Sequence, residues 1–283
     1  MWATLLLFSG TAFAHHWSWG ETPRRYLIEM ETQTPYIMWL LQEANKEGRV
    51  SYAATSVLMN CAVRQVLPKD RGWLIQCPVE DASFFAVALM EDQGRADAVV
   101  LEAEKQIEGS TVTFKQSREG AVSGIRLEGL DVHDPRSAFI AGQVERLVER
   151  AVVALDVPMP AEDAVPPQWV VKNFSTAKMP LTDLLTGSIK AISAWGEPTA
   201  EGVTITTEAS GTLAVSEELW SIRASGTASF DPVAGCLTSN LVGVNSEPGS
   251  NNIGANRVRF RMRAAARLVE AGAVVELVPS KGW

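Results

Sequence analysis

Three sets of side chains have the types and spacing to do chemistry: the histidines His15, His16 and His133, the cysteines Cys61, Cys77 and Cys236, and the alternating arginines Arg257, Arg259, Arg261 and Arg263. The histidines raise the question of copper. The chain opens MWATLLLFSGTAFAHHWSWGE, in which an uncharged apolar run, Trp2 to Phe8, precedes Ala12-Phe13-Ala14, the small-x-small pattern read by signal peptidase. Residues 1–14 are therefore expected to be a signal peptide, and a cut there makes His15 the first residue. Its free amine and ring nitrogen would together grip copper as a histidine brace, provided a second imidazole arrives from elsewhere. His16 is adjacent and badly placed for a T-shaped site, and His133 stands just before a helix start. A copper enzyme using His15 is kept as an alternative reading; the main reading assigns no metal and no cofactor.

Export to an oxidising compartment, periplasmic or extracellular, makes cysteine pairing meaningful. Cys61 and Cys77 flank VRQVLPKDRGW, whose Pro68-Lys69-Asp70-Arg71-Gly72 is a turn signal between two β-like runs. A hairpin folded about Lys69 sets the two cysteines directly opposite, so a cross-strand disulfide is expected, provided they occupy a non-hydrogen-bonded pair. Such a short closed loop contributes roughly 3 kcal/mol. Cys236, after the turn DPVAG, is left over and reads as a small buried hydrophobe.

The arginines alternate in RVRFRMR, so a strand projects Arg257, Arg259, Arg261 and Arg263 to one face and Val258, Phe260, Met262 and Ala264 to the other. Two readings stand: a stripe that holds phosphate, carboxylate or an acidic partner, or a solvent face whose guanidinium groups pair with neighbouring carboxylates. The four arginines are the candidate ligand-binding residues. The tryptophans, among them Trp17, Trp19, Trp73, Trp169 and Trp195, read mainly as core or rim residues that bury large apolar area.

Other constellations are missing. There is no HExxH or CxxC spacing, no GxSxG elbow, no phosphate-cradling loop and no dinucleotide fingerprint. With no catalytic residues to assign, a non-enzymatic role is expected. The net charge of -8 opposes general nucleic-acid affinity, which depends on displacing counterions with positive charge.

The elements that must position these residues are mostly strands. RYLIEMET alternates apolar and polar residues with period two, and TPYIMWLLQEANKEG reads as a strand entering a turn. ASFFAVALM follows the cysteine hairpin; RADAVVLEAEKQIEG predicts a helix ending at Gly109; TVTFKQSREGAVSGIRLEGL predicts a hairpin turning at Arg118-Glu119-Gly120. The longest helix is predicted over 135–155, with Asp134 as N-cap, Pro135 in the first turn and an apolar stripe from Phe139 to Leu155. PMPAEDAVPPQ, near 158–168, reads as a Pro-rich acidic linker. Beyond it come GSIKAISAW, GVTITTEASGTLAVS, WSIRASGTASF, CLTSNLVGVN, RVRFRMRAAARLVE and AGAVVELV, all read as antiparallel strands.

The order of strand, cysteine hairpin, VTFKQSREGAVSGI and the helix SAFIAGQVERLVERAVVAL resembles the N-terminal β-barrel of the large lipid transfer proteins, vitellogenin, apolipoprotein B and microsomal triglyceride transfer protein. Where the family's helix carries Asn-Ile-Lys-Arg-Gly, this one has Ala-Gly-Gln-Val-Glu-Arg. The resemblance implies a barrel wrapped around a central helix, serving chiefly to bind a partner. The fold expected is mainly β, an antiparallel curved sheet or barrel wrapped around or packed on one long amphipathic helix. Its expected parts are residues 15–157, the linker 158–168, and strands within 169–283 that complete the same barrel. The expected function is a non-catalytic binding module of the cell envelope, for a partner protein or lipid-like ligand, with peripheral contact to anionic membrane. A lipid carrier with an internal cavity is the alternative.

Overall fold

Alternating apolar positions generate strands, and the strands assemble into one sheet. The computed structural model describes residues 17–34, 51–68, 71–87, 93–157, 159–160, 168–171, 185–199, 202–215, 218–248 and 260–277. Among them are β1 (Arg24–Thr34), β2 (Ser51–Val66), β3 (Trp73–Val87), α1 (Gln93–Ile107), β4 (Thr111–Gln116), β5 (Val122–Glu128) and α2 (Pro135–Val152). A 3-10 turn (Val153–Leu155) follows, then β6 (Gln168–Val171), β7 (Leu185–Thr199), β8 (Gly202–Val215), β9 (Glu218–Asp231), β10 (Cys236–Pro248) and β11 (Phe260–Val269). The sheet order is β5-β4-β3-β2-β1-β11-β10-β9-β8-β7-β6. Every pairing is antiparallel, and only β1 with β11 joins strands distant in sequence.

The expected closed barrel is not formed. Strands β5 and β6 are the two ends of the order, and no pairing between them joins the edges among the described residues. Two helices, α1 and α2, pack on the inner face, so the architecture does not rest on a single long helix; α1 is the helix expected to end at Gly109, which takes φ +73°. Residues 93–107 form α1, which buries Ala103 and Ile107 and receives the Phe84 backbone N–H on Glu104 Oε1 at 3.0 Å.

Asp134 starts α2 as its side chain accepts from the N–H groups of Arg136 (2.7 Å) and Ser137 (3.0 Å), while Ser137 Oγ accepts from the Asp134 N–H at 3.0 Å. This reciprocal capping satisfies donors that a helix start leaves open. Ile140, Ala141, Val144, Val148, Ala151 and Val152 form the buried stripe. The predicted range of 135–155 tightens after Val152 into the 3-10 turn, whose three residues are all buried.

Two chain segments finish the packing. Trp17 enters the inner core, donating its backbone N–H to Arg118 O (3.2 Å) and its indole N–H to Val157 O (3.3 Å), with its ring edge-on to Phe230 at 5.7 Å. Gly120 makes room for it: φ is +86°, and a Cβ there would collide with the indole and with Val157 O. On the opposite, outer face, Ala273, Val275 and Leu277 cover Leu27, Leu58 and Val269. AGAVVELV is thus not the strand its alternation predicts, since no regular structure occurs over 273–277. Both edges of β11 are already taken by β1 and β10, so this segment lies across the sheet. The expected strand over TPYIMWLLQEANKEG lies outside the described residues.

Candidate functional site

The disulfide is formed where hairpin geometry puts it. Met59 pairs with Val79, Ala62 with Gln76 and Val63 with Ile75, each pair centred on position 69, and between them Cys61 and Cys77 are bonded with Cα atoms 4.0 Å apart. Cys236 is free and buried. Burial pushes its thiol upward, Arg24 opposes that shift and Asp231 reinforces it, which suits packing better than nucleophilic attack at neutral pH. Neighbouring Tyr26 is held far above its ordinary range, first by burial.

Of the three histidines only His133 is among the described residues. His15 and His16 lie outside the described residues, and His133 is exposed, with Nδ1 3.2 Å from Asp131 Oδ1 and Nε2 3.5 Å from Asp134 Oδ2. Among the described residues no group of three or more His, Cys, Asp or Glu is placed to hold a metal ion.

Of the four candidate arginines, Arg257 and Arg259 also lie outside the described residues. Arg261 and Arg263 stand on β11 with Met262 and Ala264 buried behind them, so this part of the strand splits its faces as alternation requires. Neither guanidinium group makes an ion pair or hydrogen bond with another described residue. Arg263 lies opposite Glu31 in the ladder, yet the two side chains are not within ion-pair distance.

Sheet register adds residues that no single stretch of sequence points to. Lys190 pairs with Ser210, Ser210 with Arg223, Arg223 with Asn245 and Asn245 with Arg261. The five form one row across β7 to β11 on the outer face, opposite buried Ala191, Ala209, Ala224, Val244 and Met262. Its cations stand on alternate strands, roughly 10 Å apart, and the row spans about 19 Å from the usual interstrand spacing. Lys190 and Arg223 also lack ion pairs among the described residues. Each is a lone cation in its own strand, in SIKAIS and SIRAS; only the register reveals the row.

A cleft of about 720 Å³ opens on this face, lined by Lys190, Arg223, Ser210, Ser225, Asn245 and Glu208 among others. Glu208 is its carboxylate among the described residues. In the adjacent row Val170 pairs with Ile192, and these aliphatic side chains are 57% and 38% exposed. The inner face differs. Two spaces there, one between α1, α2 and β2–β3, the other beside Asp156 and Asn240, measure about 20 Å³ each, room for a water and not for an acyl chain.

Five tryptophans belong to this interior among the described residues: Trp17, Trp19 and Trp73 are buried, and Trp169 packs on Trp195 with centroids 5.0 Å apart. No protein-family model and no curated protein matches the chain. The crystal structure of the Acinetobacter baumannii outer membrane protein Omp33 is similar over 88% of this chain and 100% of that one, at 7% identity and a TM-score of 0.16, a score at which no shared fold follows.

Proposed function

We propose that the protein is a non-catalytic binding module of the cell envelope whose basic outer face holds an anionic partner. One observation carries the reading: Lys190, Arg223 and Arg261 share a cross-strand row without carboxylate partners, on a chain of net charge -8. In an acidic protein, cations that serve only solubility sit among the abundant carboxylates and pair with them at little gain. Here Glu208 stands in the neighbouring row, yet the cations form no ion pair among the described residues, and serine and asparagine side chains of the same row offer further hydrogen bonds. Guanidinium groups suit phosphate and carboxylate through paired N–H donors, and the lysine adds a compact charge.

The Cys61–Cys77 bond supports an oxidising compartment, hence export. The resemblance to the N-terminal barrel of large lipid transfer proteins points the same way, since that module acts chiefly through partner binding. The described interior is occupied by α2, the 3-10 turn and Trp17, which favours a surface site over internal carriage.

The test uses inorganic polyphosphate as a soluble polyanion. Fluorescence anisotropy with the full chain should show binding that weakens steeply as salt rises. Substituting Lys190→Ala together with Arg223→Ala should weaken it at least tenfold with the melting transition unchanged. Absence of binding at low salt, or binding indifferent to these substitutions, refutes the proposal.

A further inference from the structure

We propose that the outer face of β6 to β11 docks on the phosphate headgroups of an anionic bilayer, an inference that rests on the anion-binding reading above and names its partner. The cations are spread in two dimensions. Lys190, Arg223 and Arg261 run across the strands, while Arg261, Arg263 and Arg267 run along β11. Alternate positions on one strand recur at about 6.8 Å and alternate strands at roughly 10 Å, so the array covers an area and not a line. A single extended acidic peptide would follow one direction of it. A headgroup layer presents phosphates in both directions and adjusts laterally to the fixed cations.

The aliphatic residues on the same face give a second, independent argument. Val170 and Ile192 are neighbours in the row beside Lys190, and Leu241, further along the outer face on β10, is 41% exposed. Exposed aliphatic side chains next to unpaired cations form an amphipathic border: the cations meet phosphate while the aliphatic groups reach the glycerol and upper acyl region. The positions between and beside the cations include small or polar residues, Ser210, Ser225, Gly243 and Asn245, with Glu208 the charged exception in the row beside Lys190. Glu208 is the opposing charge in the cleft. Its neutralisation should strengthen docking, a sign opposite to that expected if the carboxylate recognised a cationic partner.

The experiment is co-sedimentation of the full chain with vesicles of phosphatidylcholine alone or with 30% phosphatidylglycerol, at about 50 mM and 500 mM salt. Docking predicts binding to the anionic vesicles only, largely lost at high salt. Each cation near a charged bilayer is worth about fivefold in affinity, so Lys190→Ala/Arg223→Ala/Arg261→Ala should lose roughly a hundredfold. The single change Arg223→Gln, at an exposed position, should cost about fivefold and covers the case of a triple variant that misfolds. Glu208→Gln should bind more tightly, and Val170→Ser/Ile192→Ser should remove what binding survives high salt. Binding to polyphosphate without binding to anionic vesicles overturns the bilayer proposal and leaves the anion-binding reading intact. Failure with both probes overturns both.

Discussion

His133 stands beside the cap of α2 between two carboxylates, and its hydrogen bond to Asp131 raises its pKa above the ordinary 6.5, assisted by the charges of Asp131, Asp134 and Glu102. A raised pKa means the folded state holds the proton more tightly than the unfolded chain. The stabilisation is fully present below the unfolded value near 6.5 and is lost as pH rises through the higher folded value. Asp134 has the opposite sign: backbone N–H groups of Ser137 and Arg136 lower its pKa, so its contribution holds above the unfolded value and fades as pH falls through the folded one. A nuclear magnetic resonance titration of the imidazole should give a midpoint above 6.5, and Asp131→Asn should bring it down; a wild-type midpoint at or below 6.5 contradicts this geometry. At this scale the sequence was readable where neighbours decide the outcome. Asp134 and Pro135 announce a helix start because capping is local, whereas the reciprocal bond to Ser137 Oγ is seen only in the structure. Lys190 and Arg223 announce nothing, because their alignment depends on strands β7, β8 and β9 meeting in one particular register.

The cysteine hairpin shows how an element carries its own staple. With Cys61 and Cys77 both buried between β2 and β3, the bond restricts the unfolded chain across a separation of 16 residues. The double variant Cys61→Ala/Cys77→Ala should lose about 3 kcal/mol of unfolding free energy, measured by denaturant titration against the oxidised protein. A loss below about 1 kcal/mol would show that the hairpin is fixed by its ladder alone. This bridge was legible because a turn signal and two cysteines at equal distance from it define opposition in an antiparallel pair. Helix α2 was legible for a similar reason, its stripe from Ile140 to Val152 repeating at helical spacing over several turns. The segment 273–277 was misread as a strand. Alternation identifies a chain with one apolar side, but a strand also needs a free edge, and β1 and β11 already occupy each other's.

For the molecule as a whole, the predominance and antiparallel sense of strands followed from patterning and turns, whereas openness did not; ASFFAV, read apart from the cysteine hairpin, continues β3, and the short β6 was not foreseen. A barrel and an open sheet bury the same alternating residues; they differ only in whether β5 meets β6, which no local pattern encodes. The outer surface is likewise divided by the chain's path. Residues 273–277 shield Leu27 and Leu58, with Arg25 donating to Ala273 O at 2.5 Å, while no comparable cover over the outer face of β6 to β10 is seen among the described residues. A chain ending at Glu270 should therefore lose about 3 kcal/mol, from partial re-exposure of two leucines and a valine, and should bind a hydrophobic dye. A chain ending at Leu277 should do neither; equal behaviour of the two would show that the covering segment contributes nothing.

The β1–β11 seam also governs how the protein can come into being. As the polypeptide is delivered amino end first, β1 finds β2 early but must keep its other side uncovered until β11 has been synthesised. Chains still lacking β11 thus carry a sticky ribbon of unused amides and carbonyls, the kind of template on which chains aggregate. A holding factor that shields this border during biogenesis, or very rapid delivery of the final strand, would then govern yield more strongly than the stability of the finished fold.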